Sequence, residues 1–107
     1  MTPLRERVGR LEDLVPGTAR QITVGDHKIA LVRIDDDVYA ISDRCSHQDI
    51  ALSEGEVLCE DKALECWKHG SAFSLIDGEP LSLPATRPVP VYEVHVVDGE
   101  IEVVIDV

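Results

Sequence analysis

A chain of 107 residues has room for one domain and one modest core. With 44% hydrophobic and 29% charged residues, it fits neither a disordered tail nor a membrane protein. Its 21 acidic and 10 basic side chains leave a formal charge of −11, which repels phosphate backbones and anionic headgroups. Nucleic acid and membrane surfaces are therefore not expected partners, and a basic protein surface is the natural complement.

The first residues, MTPLRERVGRLEDLVPG, carry charges every few positions and no apolar run long enough for a signal-peptide core. No stretch approaches the roughly 20 apolar residues of a membrane span. A cytoplasmic location is expected, where thiols stay reduced. The three cysteines also make a poor disulfide framework, because an odd count leaves one unpaired. Thiols here are expected to be ligands or fillers.

Fourteen Val and eight Ile against one Phe, one Trp and one Met favour β structure. Residues 1–8 read as a loose leader. Leu11, Leu14 and Val15 fit one helical turn ended by Pro16–Gly17. Ile22 and Val24 lead into a Gly25–Asp26 hairpin turn, Lys28–Ile34 returns, Asp35–Asp37 turns again, and Val38–Ser42 supplies a third strand. Residues 43–72 break this rhythm with Cys, His, Ser, Gly and charge, and hold a brief hairpin of Glu56–Cys59 with Ala63–Cys66. Strand character resumes at Ala72–Ile76. Asp77–Gly78 turns, a Pro-rich loop runs from Glu79 to Pro90, and two last strands flank Asp98–Gly99. The expectation is one all-β domain over residues 1–107, with residues 43–72 inserted as a small ligand-bearing lobe and no helix beyond about two turns.

The chemistry concentrates in Cys45, His47, Cys66 and His69, a Cys-x-His followed by a Cys-x-x-His. Each half offers one thiolate and one imidazole from a single loop. Two such pairs suit either one tetrahedral zinc or a two-iron cluster. His27, in a turn region, and His95, in a late strand, stand apart from this set.

The chain resembles the Rieske [2Fe–2S] proteins in Cys45-Ser46-His47, in Cys66-Trp67-Lys68-His69-Gly70-Ser71-Ala72-Phe73, in Asp77-Gly78-Glu79-Pro80 and in Leu83-Pro84-Ala85. The resemblance runs from about Leu14 to Ile105 and implies an antiparallel β-sandwich with a small cluster-binding lobe. It implies one [2Fe–2S] cluster, with Cys45 and Cys66 on the inner iron and His47 and His69 on the outer one. Gly70 would let the backbone approach the cluster, Ser71 matches a hydroxyl donor, and Pro84 matches a proline loop that covers the cluster. Replacing two thiolates by two neutral imidazoles brings the oxidised cluster to zero charge, so reduction creates only one negative charge.

Respiratory members of that family carry a disulfide between the ligand loops, where this chain has Ile50 and Lys68. They also carry a tyrosine where this chain has Phe73. Fewer hydrogen bonds to sulfur, together with an acidic surface, set the expected potential near the low end of the Rieske range, about −150 mV.

Other features have plainer readings. Cys59, after Val57 and Leu58, reads as a small buried filler. Trp67 either shields the cluster, guides docking or simply packs. Tyr39 and Tyr92 fit sandwich packing, His95 a half-exposed strand position, and Asp35–Asp37 a solvated turn. Asp43, Asp49, Glu54 and Glu56 are acidic positions near the ligands that could steer a basic partner.

The resemblance points to a Rieske-type ferredoxin: a monomeric one-electron carrier and not an enzyme. It would pass electrons from an NAD(P)H-dependent flavoprotein ferredoxin reductase to a terminal non-haem iron oxygenase. The length leaves no room for the second domain that would house a mononuclear iron. The alternatives are a Rieske ferredoxin serving iron–sulfur assembly or another reductase chain, and, from a different class, a zinc-binding interaction module.

Overall fold

The computed structural model describes residues 3–44, 51–66, 70–81 and 87–106. Among the described residues, nine strands form two antiparallel sheets. The larger has the order β1-β9-β8-β4-β3-β2 and contains β1 (Pro3–Arg10), β2 (Thr18–Val24), β3 (His27–Ile34), β4 (Asp37–Ser42), β8 (Val91–Val97) and β9 (Glu100–Asp106). The smaller has the order β5-β6-β7, from β5 (Glu56–Leu58), β6 (Ala63–Glu65) and β7 (Ala72–Ser74). Among the described residues the only helical pieces are two single 3₁₀ turns, Leu11–Asp13 and Leu52–Glu54.

Strand β3 organises the molecule because both of its faces are covered. Ile29 and Leu31 point into one core with Val24, Ala40, Ile101, Val103 and Ile105, where the large sheet folds over on itself. Ala30, Val32 and Ile34 point the other way, into a second core with Leu52, Leu64, Cys66, Phe73 and Leu75 of the lobe. A strand buried on both faces needs a continuous apolar run, and Ile29–Val32 supplies one. The fold-over lies at the β4–β8 junction, where Ala40 pairs with Tyr92 and Ile41 with Val91.

Two sequence expectations need correction. Pro3–Arg10 is no leader: it forms the edge strand β1, paired antiparallel with β9. Its charges are cross-strand partners, Arg5 to Glu102 and Arg7 Nη1 to Glu100 Oε1 at 3.2 Å, while Val8 packs against the core. Charge on an edge strand also discourages pairing with another chain. The lobe, in turn, extends past residue 72. β7 completes its sheet, Phe73 bridges Pro80, and the chain rejoins the large sheet only at Val91. Strand β7 stops at Ser74 rather than Ile76, because the Ser74 Oγ accepts from the Ile76 amide and the Gly78 amide donates to the Ser74 carbonyl, bending the chain.

Candidate metal centre

Cys66 follows directly on β6. Leu64 is buried, Glu65 half-buried and Cys66 wholly buried, so the cysteine continues the inward face of the strand. The Cys66 amide donates to the Ser71 carbonyl at 2.6 Å, and the Gly70 amide donates to the Cys66 carbonyl at 2.9 Å. These bonds draw the two ends of the segment together. Gly70 has φ +74°, a left-handed conformation that a side chain disfavours, whereas no described atom lies within 4 Å of where its Cβ would stand. The backbone turn by itself already calls for glycine there. Ser71, beside it, is fully buried.

The residues that flank the first half-motif are joined in a similar way. Arg44 bridges Ala51, and the Leu52 amide donates to the Asp43 carbonyl at 3.1 Å. Leu52 and Cys66 then pack in the same apolar core. The foot of each segment therefore rests on common ground. Of the sequence-predicted site residues, Cys66, Gly70 and Ser71 are brought together; Cys45, His47, His69 and Pro84 lie outside the described residues, as do Asp49, Ile50, Trp67 and Lys68.

Two residues are not where the sequence suggested. Cys59 is exposed, in the turn that joins β5 to β6, because the ladder ends at Leu58–Ala63 and leaves Cys59 outside it. Asp43 is only 3% exposed and is no steering charge. Its Oδ1 accepts from the Ser53 amide at 2.6 Å, and its Oδ2 accepts from the Ser53 hydroxyl at 2.9 Å and from Gln21 Nε2. Sequence reasoning missed this cluster, since an Asp in a charged loop reads as surface. Glu54 and Glu56 are exposed, as expected of steering charges. Beside the Asp43 cluster opens a cleft of about 590 Å³ lined by His27, Lys28, Arg44 and Tyr92 among others. Burial raises the Tyr92 phenol above its ordinary pKa of 10.0. Its ring meets His27 edge-on at 6.0 Å.

A buried thiol at the end of a short hairpin, free of any disulfide among the described residues, suits a soft metal. With a buried hydroxyl and a tightly closed backbone next to it, this set fits an iron–sulfur cluster. Fold and site together define a small antiparallel β protein in which one sequence-predicted ligand, Cys66, is buried at the end of a short hairpin.

Residues 5–93 match the family model for the Rieske [2Fe-2S] domain. The chain is 40% identical over 98 residues to ferredoxin CarAc of Metapseudomonas resinovorans, covering 91% of this chain and 90% of that one. It superimposes with a TM-score of 0.90 on the ferredoxin of carbazole 1,9a-dioxygenase from Nocardioides aromaticivorans IC177, at 38% identity, covering 96% of this chain and 97% of the other. A ferredoxin solved in a complex of reduced oxygenase and oxidized ferredoxin in carbazole 1,9a-dioxygenase matches with a TM-score of 0.86 and 39% identity, over 92% of this chain and 91% of the other. The chain belongs to the Rieske [2Fe-2S] domain family. No helix among the described residues is long and apolar enough to cross a membrane.

Proposed function

We propose that the protein is a one-electron carrier of the cytoplasm, a monomer holding one [2Fe–2S] cluster through Cys45, His47, Cys66 and His69. Cys45 and Cys66 bind the inner iron and His47 and His69 the outer one. The protein takes an electron from a flavoprotein ferredoxin reductase and delivers it to a terminal oxygenase. The observation that carries this reading is the buried, disulfide-free Cys66 in the closed Cys66–Ser71 turn of a chain 40% identical to a ferredoxin. Support for an oxygenase partner comes from the related ferredoxin solved in complex with the oxygenase of carbazole 1,9a-dioxygenase.

When bound, the cluster supplies a one-electron couple whose potential is raised by its imidazole ligands. The chain supplies the frame. Leu52, Leu64, Phe73 and Leu75 exclude water behind Cys66, and the Cys66–Ser71 hydrogen bond fixes the cysteine backbone. A cluster held on this frame would meet a cysteine whose backbone is already fixed before the electron arrives.

Metal and sulfide analysis of protein from iron-replete cells tests this reading, with electron paramagnetic resonance of the dithionite-reduced sample. Two irons and two acid-labile sulfides per chain and a Rieske-type spectrum are expected. A colourless protein holding one zinc would overturn it.

A further inference from the structure

We propose that Asp43 is a positioning residue: its carboxylate clasps the base of the segment that carries Cys45 and His47 and so holds those ligands in register with Cys66. The inference rests on the ligand assignment proposed above. Asp43 follows directly on β4, and three separate donors converge on it. The Ser53 amide and hydroxyl come from the 3₁₀ turn that follows the segment, and Gln21 comes from β2. The Asp43 amide itself donates to the Lys28 carbonyl at 3.0 Å, on β3. Asp43 therefore joins the point where the segment leaves the large sheet to the 3₁₀ turn that follows the segment, its side chain tying both to β2 and its amide adding a tie to β3.

The 3₁₀ turn Leu52–Glu54 has no cap of its own, since Ala51 offers no side-chain acceptor. Asp43 fills that role from across the segment, accepting the orphan Ser53 amide. The clasp has a reason to be a buried carboxylate rather than an apolar contact. Two oxygens can accept all three donors at once, and together the bonds fix the position of Asp43 at the root of the segment.

Asparagine can keep this set of bonds. Its carbonyl accepts the Ser53 amide, and its amide group donates to the Ser53 hydroxyl oxygen and, after rotation, to the Gln21 carbonyl. Alanine keeps none. The test is the rate at which the dithionite-reduced holoprotein gives up iron to a ferrous chelator, read from the growing absorbance of the iron–chelator complex. It is run well below the melting temperature of each variant, with melting followed by far-ultraviolet circular dichroism. Asp43→Ala is expected to lose the cluster about tenfold faster, the loss typical of removing an outer partner of a metal site. Asp43→Asn is expected to stay within about twofold of the parent, since its bonds are retained.

If Asp43→Ala does not fold, the Gln21→Ala, Ser53→Ala pair removes two of the three donors, leaves the backbone amide bond, and is expected to accelerate loss several-fold. An unchanged rate in folded Asp43→Ala, or in that pair, would overturn the inference. So would equal acceleration in Asp43→Asn and Asp43→Ala. A parent protein that holds no iron, or that keeps its cluster after Cys66→Ala, overturns the ligand assignment and the clasp with it. A parent with an intact cluster and an indifferent Asp43 overturns the clasp alone.

Discussion

Cys66 and Ser71 hold one another through the backbone: the cysteine amide donates to the serine carbonyl at 2.6 Å, and both residues are fully buried. The pair extends the β6–β7 ladder by one step, beyond Glu65–Ala72. The thiol thus stands on sheet-like backbone instead of on a free loop. A ligand on a ladder is more rigid than one on a loop, which suits a centre that must change charge without changing shape.

Ligand identity has a sharp expected outcome. Cys66→Ala, His47→Ala and His69→Ala should each abolish the Rieske spectrum. Cys59→Ser should leave spectrum and stability within about 0.5 kcal/mol of the parent, as for most exposed substitutions. The thiol of Cys59 is exposed and sits in the β5–β6 turn, away from the buried face of β6. Visible spectra and iron content of the purified variants check this. Loss of iron from Cys59→Ser would show that the wrong thiols had been assigned.

Gly55 couples the lobe's fold to its cysteine. A Cβ added there would overlap the Glu65 carbonyl oxygen, a backbone atom of the residue preceding Cys66. Backbone cannot swing aside as a flexible side chain can. Gly55→Ala is therefore expected to destabilise the protein by about 3 kcal/mol, at the upper end of overpacking costs, and to weaken iron retention together with it. Urea unfolding of the holoprotein measures both. A midpoint equal to the parent's would mean that β5 and β6 separate at little cost.

The acidic surface gives a kinetic expectation. Glu54 and Glu56 are exposed on the lobe, whereas Asp43 is spent inside it. Steering is screened over roughly 8 Å at physiological salt, so the rate of reduction by a ferredoxin reductase should fall steeply as salt is added. Reversing Glu54 and Glu56 to lysine should lower the rate at low salt and flatten that dependence. Asp43→Asn should leave the salt slope as it was. Stopped-flow reduction at several ionic strengths distinguishes these cases, and a flat profile for the parent would reject steering.

Much of this was legible in the sequence because it depends on local signals. Gly25–Asp26 and Asp98–Gly99 are turn pairs whose chemistry is independent of the rest of the chain, and both hairpins form there. Ile22 and Val24 at the end of β2 and the apolar run in β3 likewise read directly as a half-buried and a fully buried strand. What sequence could not give was long-range pairing. β1 is a strand only because β9, some ninety residues away, supplies Glu100 and Glu102 opposite its arginines. Asp43 is buried only because Gln21 and Ser53 converge on it. Cys59 follows two apolar residues that face inward in part, yet the ladder ends one residue too soon to bury it. In each case the deciding neighbour is remote in sequence, which no local pattern reports.

Phe73 bears on the potential. It is fully buried, pairs with Leu64 across the β6–β7 ladder, and shares an apolar core with Cys66. Respiratory members of the family carry tyrosine at the matching position. A phenol there can donate to a cysteine sulfur, and the bond strengthens when the cluster gains an electron. Both redox states accept it, so only the difference between them moves the potential. If that difference is about 1 kcal/mol, a one-electron couple rises by roughly 40 mV. Phe73→Tyr is therefore expected to raise the potential, and Ser71→Ala, which removes a buried hydroxyl beside the cysteine turn, to lower it. Stability supplies an independent reading of the same variant. A phenol that reaches sulfur is satisfied, whereas one stranded among Leu52, Leu64 and Leu75 costs about 1–3 kcal/mol. Protein-film voltammetry and urea unfolding are measured together. A raised potential at near-parent stability supports the account. An unchanged or lower potential with the cluster intact rejects it, and a matching loss of stability would show that the hydroxyl had no partner.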